Sequence, residues 1–180
     1  MLIPLICSVL LLFFLSRDDL RTRTIPLCPV LIFAALSLLL NLVLHFFPFA
    51  SIRSTLMQVL PASAVLRLAA FLPHLLPGLS MADLFSGIVP GLLLLLLSRI
   101  SRTSVGTGDG ITVLALGLML GLSLELTALV LGLFLSAVLC TILLLLRKVS
   151  RSSALPFLPF LFLSHAILLL MEVINCSAKL

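Results

Sequence analysis

The chain has 180 residues, 62% of them hydrophobic and 9% charged, with a mean hydropathy of +1.41. So few polar residues cannot cover the surface of a water-soluble domain, and the alternating segments of about ten residues that mark an outer-membrane barrel do not occur. The net charge of +5 does not point to nucleic acid: the basic residues are scattered through short connectors, with no Trp or Tyr among them, and lipid head groups and topology account for them.

The expected fold is therefore an all-α polytopic membrane protein, a single integral-membrane domain over 1–180. Apolar runs occupy 2–16, 25–50, 84–98, 111–124, 127–146 and 155–174. The first has no basic residue before it and no small-residue cleavage site after it, so it reads as a retained helix rather than a signal. About 15 helical residues rise only ~23 Å, which puts its far end near the interface. The connector 51–82 contains a moderately apolar stretch, 59–79, with Arg67, His74 and three prolines. Glu125 and its neighbours are read as the short connection between the fourth and fifth runs. No soluble domain, low-complexity tract or internal repeat is evident.

Charge orients the runs. Arg17, Arg21 and Arg23 follow the first run, Arg99 and Arg102 the third, and Arg147, Lys148 and Arg151 the fifth. By the positive-inside rule these three connectors face the cytoplasm. An odd number of crossings must then separate the second run from the connector at 99–110. The run 84–98 satisfies this alone, so 59–79 is expected to be interfacial or re-entrant. The result is six transmembrane helices with both termini outside. Single-cysteine labelling in a cysteine-free background should find Thr22, Ser104 and Ser150 protected from outside and Ser177 reactive. Outside labelling at Ser104 would mean that 59–79 spans.

Cys7, Cys28, Cys140 and Cys176 show no CxxC spacing. The first three are expected to pack as small hydrophobes within helices, leaving Cys176 as the one near a terminus that could be exposed. His45, His74 and His165 lie on separate segments without metal-ligand spacing and read as packed or interfacial side chains; no metal and no cofactor is expected. No GxSxG or SxxK accompanies the serines.

The six acids are Asp18, Asp19, Asp83, Asp109, Glu125 and Glu172. The topology puts Asp18, Asp19 and Asp109 on the cytoplasmic side and the other three at or near the outer side. A carboxylate at a helix boundary is often only a solvated end charge. Yet acids near the membrane are costly and tend to be functional, and here two acidic spots share one face. Two close aspartates suit amide hydrolysis. They cannot both ionise easily, so one activates water while the other keeps a proton for the carbonyl oxygen and the leaving amine. The stretch SVGTGDGI, 104–111, sets Asp109 among Gly106, Gly108 and Gly110. It reads either as a flexible turn or as backbone left bare so that a substrate strand or a helix can approach. A phosphate loop fits less well, since no GxxxxGK[ST] and no strand precede it.

GTGD at 106–109, opening the apolar helix GITVLALGLMLG, resembles the GxGD motif of the type IV prepilin peptidase family. DLRTRTIP at 19–26 is similar to that family's other signature, an Asp followed by basic residues and an Ile-Pro that starts the next helix. PGLLLLLLSRISRTSVGTGDG, 90–110, resembles the helix and loop leading into GxGD in compact members. The likeness covers about residues 1–150, with 51–82 matching poorly. It implies a catalytic pair, Asp19 and Asp109, supported by Gly106, Gly108, Ile25 and Pro26. Asp19 rather than Asp18 has the spacing to Ile25 and Pro26. Arg21 and Arg23 also serve as topology anchors, and Pro26 suits a helix start.

The resemblance implies an aspartic endopeptidase, without cofactor, that cuts the leader from prepilin-like proteins at the cytoplasmic face of a bacterial cell membrane. Its partners would be a prepilin or pseudopilin with a hydrophobic N-terminal helix, and membrane lipid. The chain departs from the family in having Ile111 where many members carry Lys. It also shows no N-terminal region of the kind linked to methylation, so leader removal without N-methylation is expected. Two other readings use the same acids differently. A proton-coupled transporter would need polar residues deep within helices, with Asn41 and His165 as the main candidates. A noncatalytic membrane scaffold would need neither aspartate.

Overall fold

The computed structural model describes residues 2–22, 25–46, 81–101, 106–146 and 156–177. The described residues are all helix apart from short caps and turns: α1 (Leu2–Thr22), α2 (Leu27–Phe46), α3 (Met81–Ser101), α4 (Thr107–Leu145) and α5 (Leu158–Ser177). The stretch 59–79 lies outside the described residues, and with it the expectation of an interfacial or re-entrant segment.

Helices are what these runs can form when their surroundings are apolar, because a helix satisfies its own backbone. Among the described residues the prolines within helices fall mostly where a missing N–H costs nothing: Pro4, Pro29 and Pro159 lie in first turns. Pro90 is the exception, inside α3. Ile25 precedes Pro26 and is pushed from helical angles, so α1 stops at Thr22 and α2 begins at Leu27. The helix α1 nonetheless runs past the apolar stretch 2–16. Arg17 to Thr22, expected as a connector, form its last turns, which puts both Asp18 and Asp19 on a helix.

Among the described residues three helices are long and apolar enough to cross a membrane, over Ala82–Ile100, Thr107–Leu145 and Leu158–Ser177, and Leu27–Val43 is a shorter apolar helix. Large apolar side chains line the outside of the bundle: Phe14, Ile32, Leu36, Leu93 and Phe134 are all well exposed. Such a surface suits hydrocarbon rather than water.

The interior is held by close backbone approach and one apolar cluster. α3 packs along the first part of α4 through facing glycines, Gly87 and Gly91 on one helix and Gly117 and Gly121 on the other. A Cβ on Gly87 or on Gly117 would run into the other's backbone carbonyl, and one on Gly91 into the backbone of Leu114. Small residues four apart let helices meet at this range, gaining dispersion contacts where no hydrophobic force acts between them. The matching proceeds antiparallel: Gly87 against Gly117, Gly91 against Leu114, Leu95 against Gly110. Leu12 and Leu15 of α1, Val30 of α2, Val113, Leu116 and Leu129 of α4, and Leu158 and Leu161 of α5 form the buried cluster.

At Gly121 the backbone of α4 leaves the helix, with φ 76° and ψ 172°, a region that is essentially glycine's alone. The break frees carbonyls of the preceding turn. Asn41 of α2 answers it, donating one amide hydrogen to the Leu118 carbonyl and another to that of Ser37, both at 3.0 Å. The break corrects the expectation of a connection around Glu125. Glu125 lies four residues into the second arm and is fully buried, so it is not an outer end charge. The turn falls where a residue without Cβ permits it rather than where the charge stands. Cys28 is a second correction: it lies exposed on α2, whereas Cys7, Cys140 and Cys176 are half-buried.

Candidate functional site

Asp19 sits in the last turns of α1 and Asp109 in the first turn of α4. Ninety residues separate them in sequence, yet the fold brings them near enough for the charge of Asp19 to be felt at Asp109. Asp19 is buried, at 8% exposure, and Asp109 is half-buried. Asp18, the neighbour in sequence, is exposed. A helix turns about 100° per residue, so α1 directs only one of its two aspartates inward, and that one is Asp19.

The start of α4 is built around Asp109. Gly106 is the N-cap residue, with extended angles and no side chain to cap the helix. Its carbonyl accepts from the Asp109 N–H at 3.1 Å, and its own N–H donates back to the Asp109 carboxylate. This is the return half of a capping box, with the acid at the third helical position. The carboxylate also sits at the positive end of the helix dipole. Asp109 therefore has a structural duty as well as a chemical one.

Gly108 and Gly110 close the site against neighbouring elements. A Cβ on Gly108 would come within 2.7 Å of the Ile25 side chain, and one on Gly110 within 2.8 Å of Leu95. Thr112, wholly buried, donates its hydroxyl to the Gly108 carbonyl at 2.8 Å. Ile25 is half-buried against the core cluster, with Pro26 half-buried beside it. Ile25 of DLRTRTIP thus packs on Gly108 of GTGD, and Asp19 lies near enough for its charge to be felt at Asp109. Ile111 packs against the same core.

The acids read as outer do not join this pair. Asp83 is exposed on the first turn of α3, and Glu172 is half-buried near the end of α5. Among the described residues no three His, Cys, Asp or Glu side chains stand together as a metal site would require. What the arrangement offers chemically is two neighbouring carboxylates, one held at a helix N-terminus and one carried near the C-terminal end of a second helix. The capping role of Asp109 was not read from the sequence. Its signal was present, an acid three residues after a candidate cap, but the cap is a glycine and not the usual Ser or Thr.

Compared with known proteins, the chain matches no family model, no curated protein and no solved structure.

Proposed function

We propose that this protein is a membrane-embedded aspartic endopeptidase that removes the leader peptide of type IV prepilin-like proteins. The observation that carries the reading is the nearness of Asp19 to Asp109, close enough for its charge to be felt there, with Ile25 seated on Gly108. One aspartate, ionised, takes a proton from water. The other donates to the carbonyl oxygen of the scissile bond and then to the leaving amine. No metal is called for in this division of labour. The substrate's hydrophobic N-terminal helix lies among the enzyme's helices, with its leader junction at the cytoplasmic face.

The proposal includes six crossings with both termini outside a bacterial cell membrane. As one rod, the 39 residues of α4 would reach about 58 Å, roughly twice a bilayer core of about 30 Å. The break at Gly121 divides it into two arms, 107–120 and 122–145; as separate crossings the second spans the core, and the first, about 21 Å long, brings Asp109 in toward the membrane from the cytoplasmic face. Asp19 and Asp109 then share the cytoplasmic face with the basic connectors.

Co-expression with a candidate prepilin tests the proposal, leader loss being read by gel shift. Wild-type protein should convert most of the substrate to the shorter form. Uncut substrate across a panel of prepilins and pseudopilins would count against peptidase activity. A second reading, proton-coupled transport, is favoured by one observation, the buried Glu125–His165 contact. It predicts proton flux in proteoliposomes and no cleavage. Asn41, the other polar residue deep in a helix, is already committed to the break in α4.

A further inference from the structure

Glu125 and His165 stand apart from the aspartate site and have no part in the cleavage chemistry above. Both side chains are fully buried, with His165 Nε2 3.5 Å from Glu125 Oε2. The other ring nitrogen, Nδ1, lies 2.8 Å from the Leu161 carbonyl. A carbonyl oxygen only accepts, so Nδ1 carries a hydrogen. Nε2 is then the nitrogen that faces the acid. If Nε2 were bare and Glu125 ionised, two acceptors would oppose each other, with an uncompensated negative charge in apolar surroundings. One proton between them removes both faults and leaves the pair neutral overall.

The surroundings offer no other remedy. Among the described residues neither Glu125 oxygen nor His165 Nε2 has a hydrogen-bond partner in this geometry, and each is the other's nearest polar neighbour of opposite character. The helices also meet closely here. A Cβ on Gly132 would lie 3.4 Å from the Ser164 hydroxyl and 3.5 Å from the Leu161 Cα. With the proton on Oε2, a carboxylic acid donates to a neutral imidazole and no charge is separated, which suits an apolar interior better than an ion pair.

We propose that Glu125 and His165 form a buried proton-binding site, one proton held between Oε2 and Nε2, that fastens the second arm of α4 to α5. Its ligand is the proton, and its role is to join two helices. α5 packs on α1, which carries Asp19, and α4 carries Asp109, so the site lies in the packing between the two carriers. It does not depend on the peptidase reading.

Two measurements on the full-length protein in nanodiscs at neutral pH test this. An infrared difference between wild type and Glu125→Gln should show loss of a protonated-carboxyl band. Nitrogen-15 spectra of histidine-labelled protein, with His165 assigned through His165→Gln, should show Nδ1 protonated and Nε2 accepting. A proton on Nε2 with the acid ionised would also support one shared proton. An ionised Glu125 beside a neutral His165, or a bare Nδ1, would overturn the proposal. For the fastening role, His165→Leu should lower the thermal midpoint by about 5 °C, since it orphans a buried acid. Adding Glu125→Leu should restore most of that loss, because two apolar groups leave nothing unpaired. Losses that simply add would overturn the fastening role. The spectra decide the proton site even where a leucine variant does not fold.

Discussion

Asp19→Asn and Asp109→Asn should each reduce leader removal by at least about 100-fold, the low end of what a positioned acid or base contributes, while Asp18→Asn keeps most of it. Asn is nearly isosteric with Asp but cannot take a proton from water or pass one to a leaving amine. The two carboxylates act as a unit, so the double variant should be no worse than either single one. Asp18 is exposed while Asp19 is buried, and this one-residue difference in direction is what the comparison reads. The fold should survive the substitutions. The amide oxygen of an Asn at 109 can still accept the Gly106 N–H that the carboxylate accepts now, so the start of α4 keeps its cap. Removing a carboxylate near an interface lowers the cost of insertion. Gly108→Ala should also impair cleavage, because its Cβ would push on Ile25 and shift the DLRTRTIP segment against GTGD. All variants are compared at matched levels in membranes. Wild-type rates on a verified substrate from both asparagine variants would end the aspartic mechanism and favour the scaffold reading.

The placement of the candidate site's residues was more legible in the sequence than the packing of the core. GTGD and DLRTRTIP each carry a local signature, a turn and a helix start, and local chemistry survives into the structure. The runs 25–50, 84–98 and 155–174 correspond to α2, α3 and α5 with ends shifted by a few residues, because hydropathy marks the apolar stretch and not the last hydrogen bond. Hydropathy ended the first run at Ser16, whereas α1 continues to Thr22: charged residues sit comfortably in a last helical turn, and Arg21 there meets the negative end of the dipole. Glu125 was misread for a different reason. A lone acid between two apolar runs looks like a solvated turn, and only His165, forty residues later, makes its burial tolerable. Such a partner leaves no trace in local periodicity. The break at Gly121 was likewise hidden, since LGLMLGLSL offers two glycines and nothing local says which one turns. The answer lies in α2, where Asn41 donates to the Leu118 carbonyl, and in α3, where Gly87 occupies the room beside Gly117.

That last contact carries the largest stability effect expected in the molecule. Gly117→Ala should lower stability by about 3 kcal/mol, at the upper end of what overpacking costs, whereas Gly132→Ala should be close to neutral. Both glycines lie in α4, both are buried, and in both cases the change adds one methyl group to a helix, where Ala is intrinsically the better residue by about 1 kcal/mol. The difference is what the methyl meets. At Gly117 it would overlap the backbone carbonyl of Gly87, and a backbone cannot turn aside as a side chain can. Gly87→Ala meets the reciprocal obstacle, the carbonyl of Gly117. At Gly132 the nearest atom is the Ser164 hydroxyl at 3.4 Å, an ordinary van der Waals contact. Relief at Gly117 requires α3 to move away from α4, and that motion also draws Leu95 from Gly110 and loosens the turn that holds Asp109. Cleavage should therefore fall with Gly117→Ala although the residue lies more than two helical turns from the aspartate. Thermal unfolding of the three alanine variants in one detergent, beside their cleavage of a common prepilin, measures both effects. Equal midpoints for the Gly117 and Gly132 variants would mean that the two helices do not meet backbone to backbone, and the route from this contact to the aspartate pair would go with it.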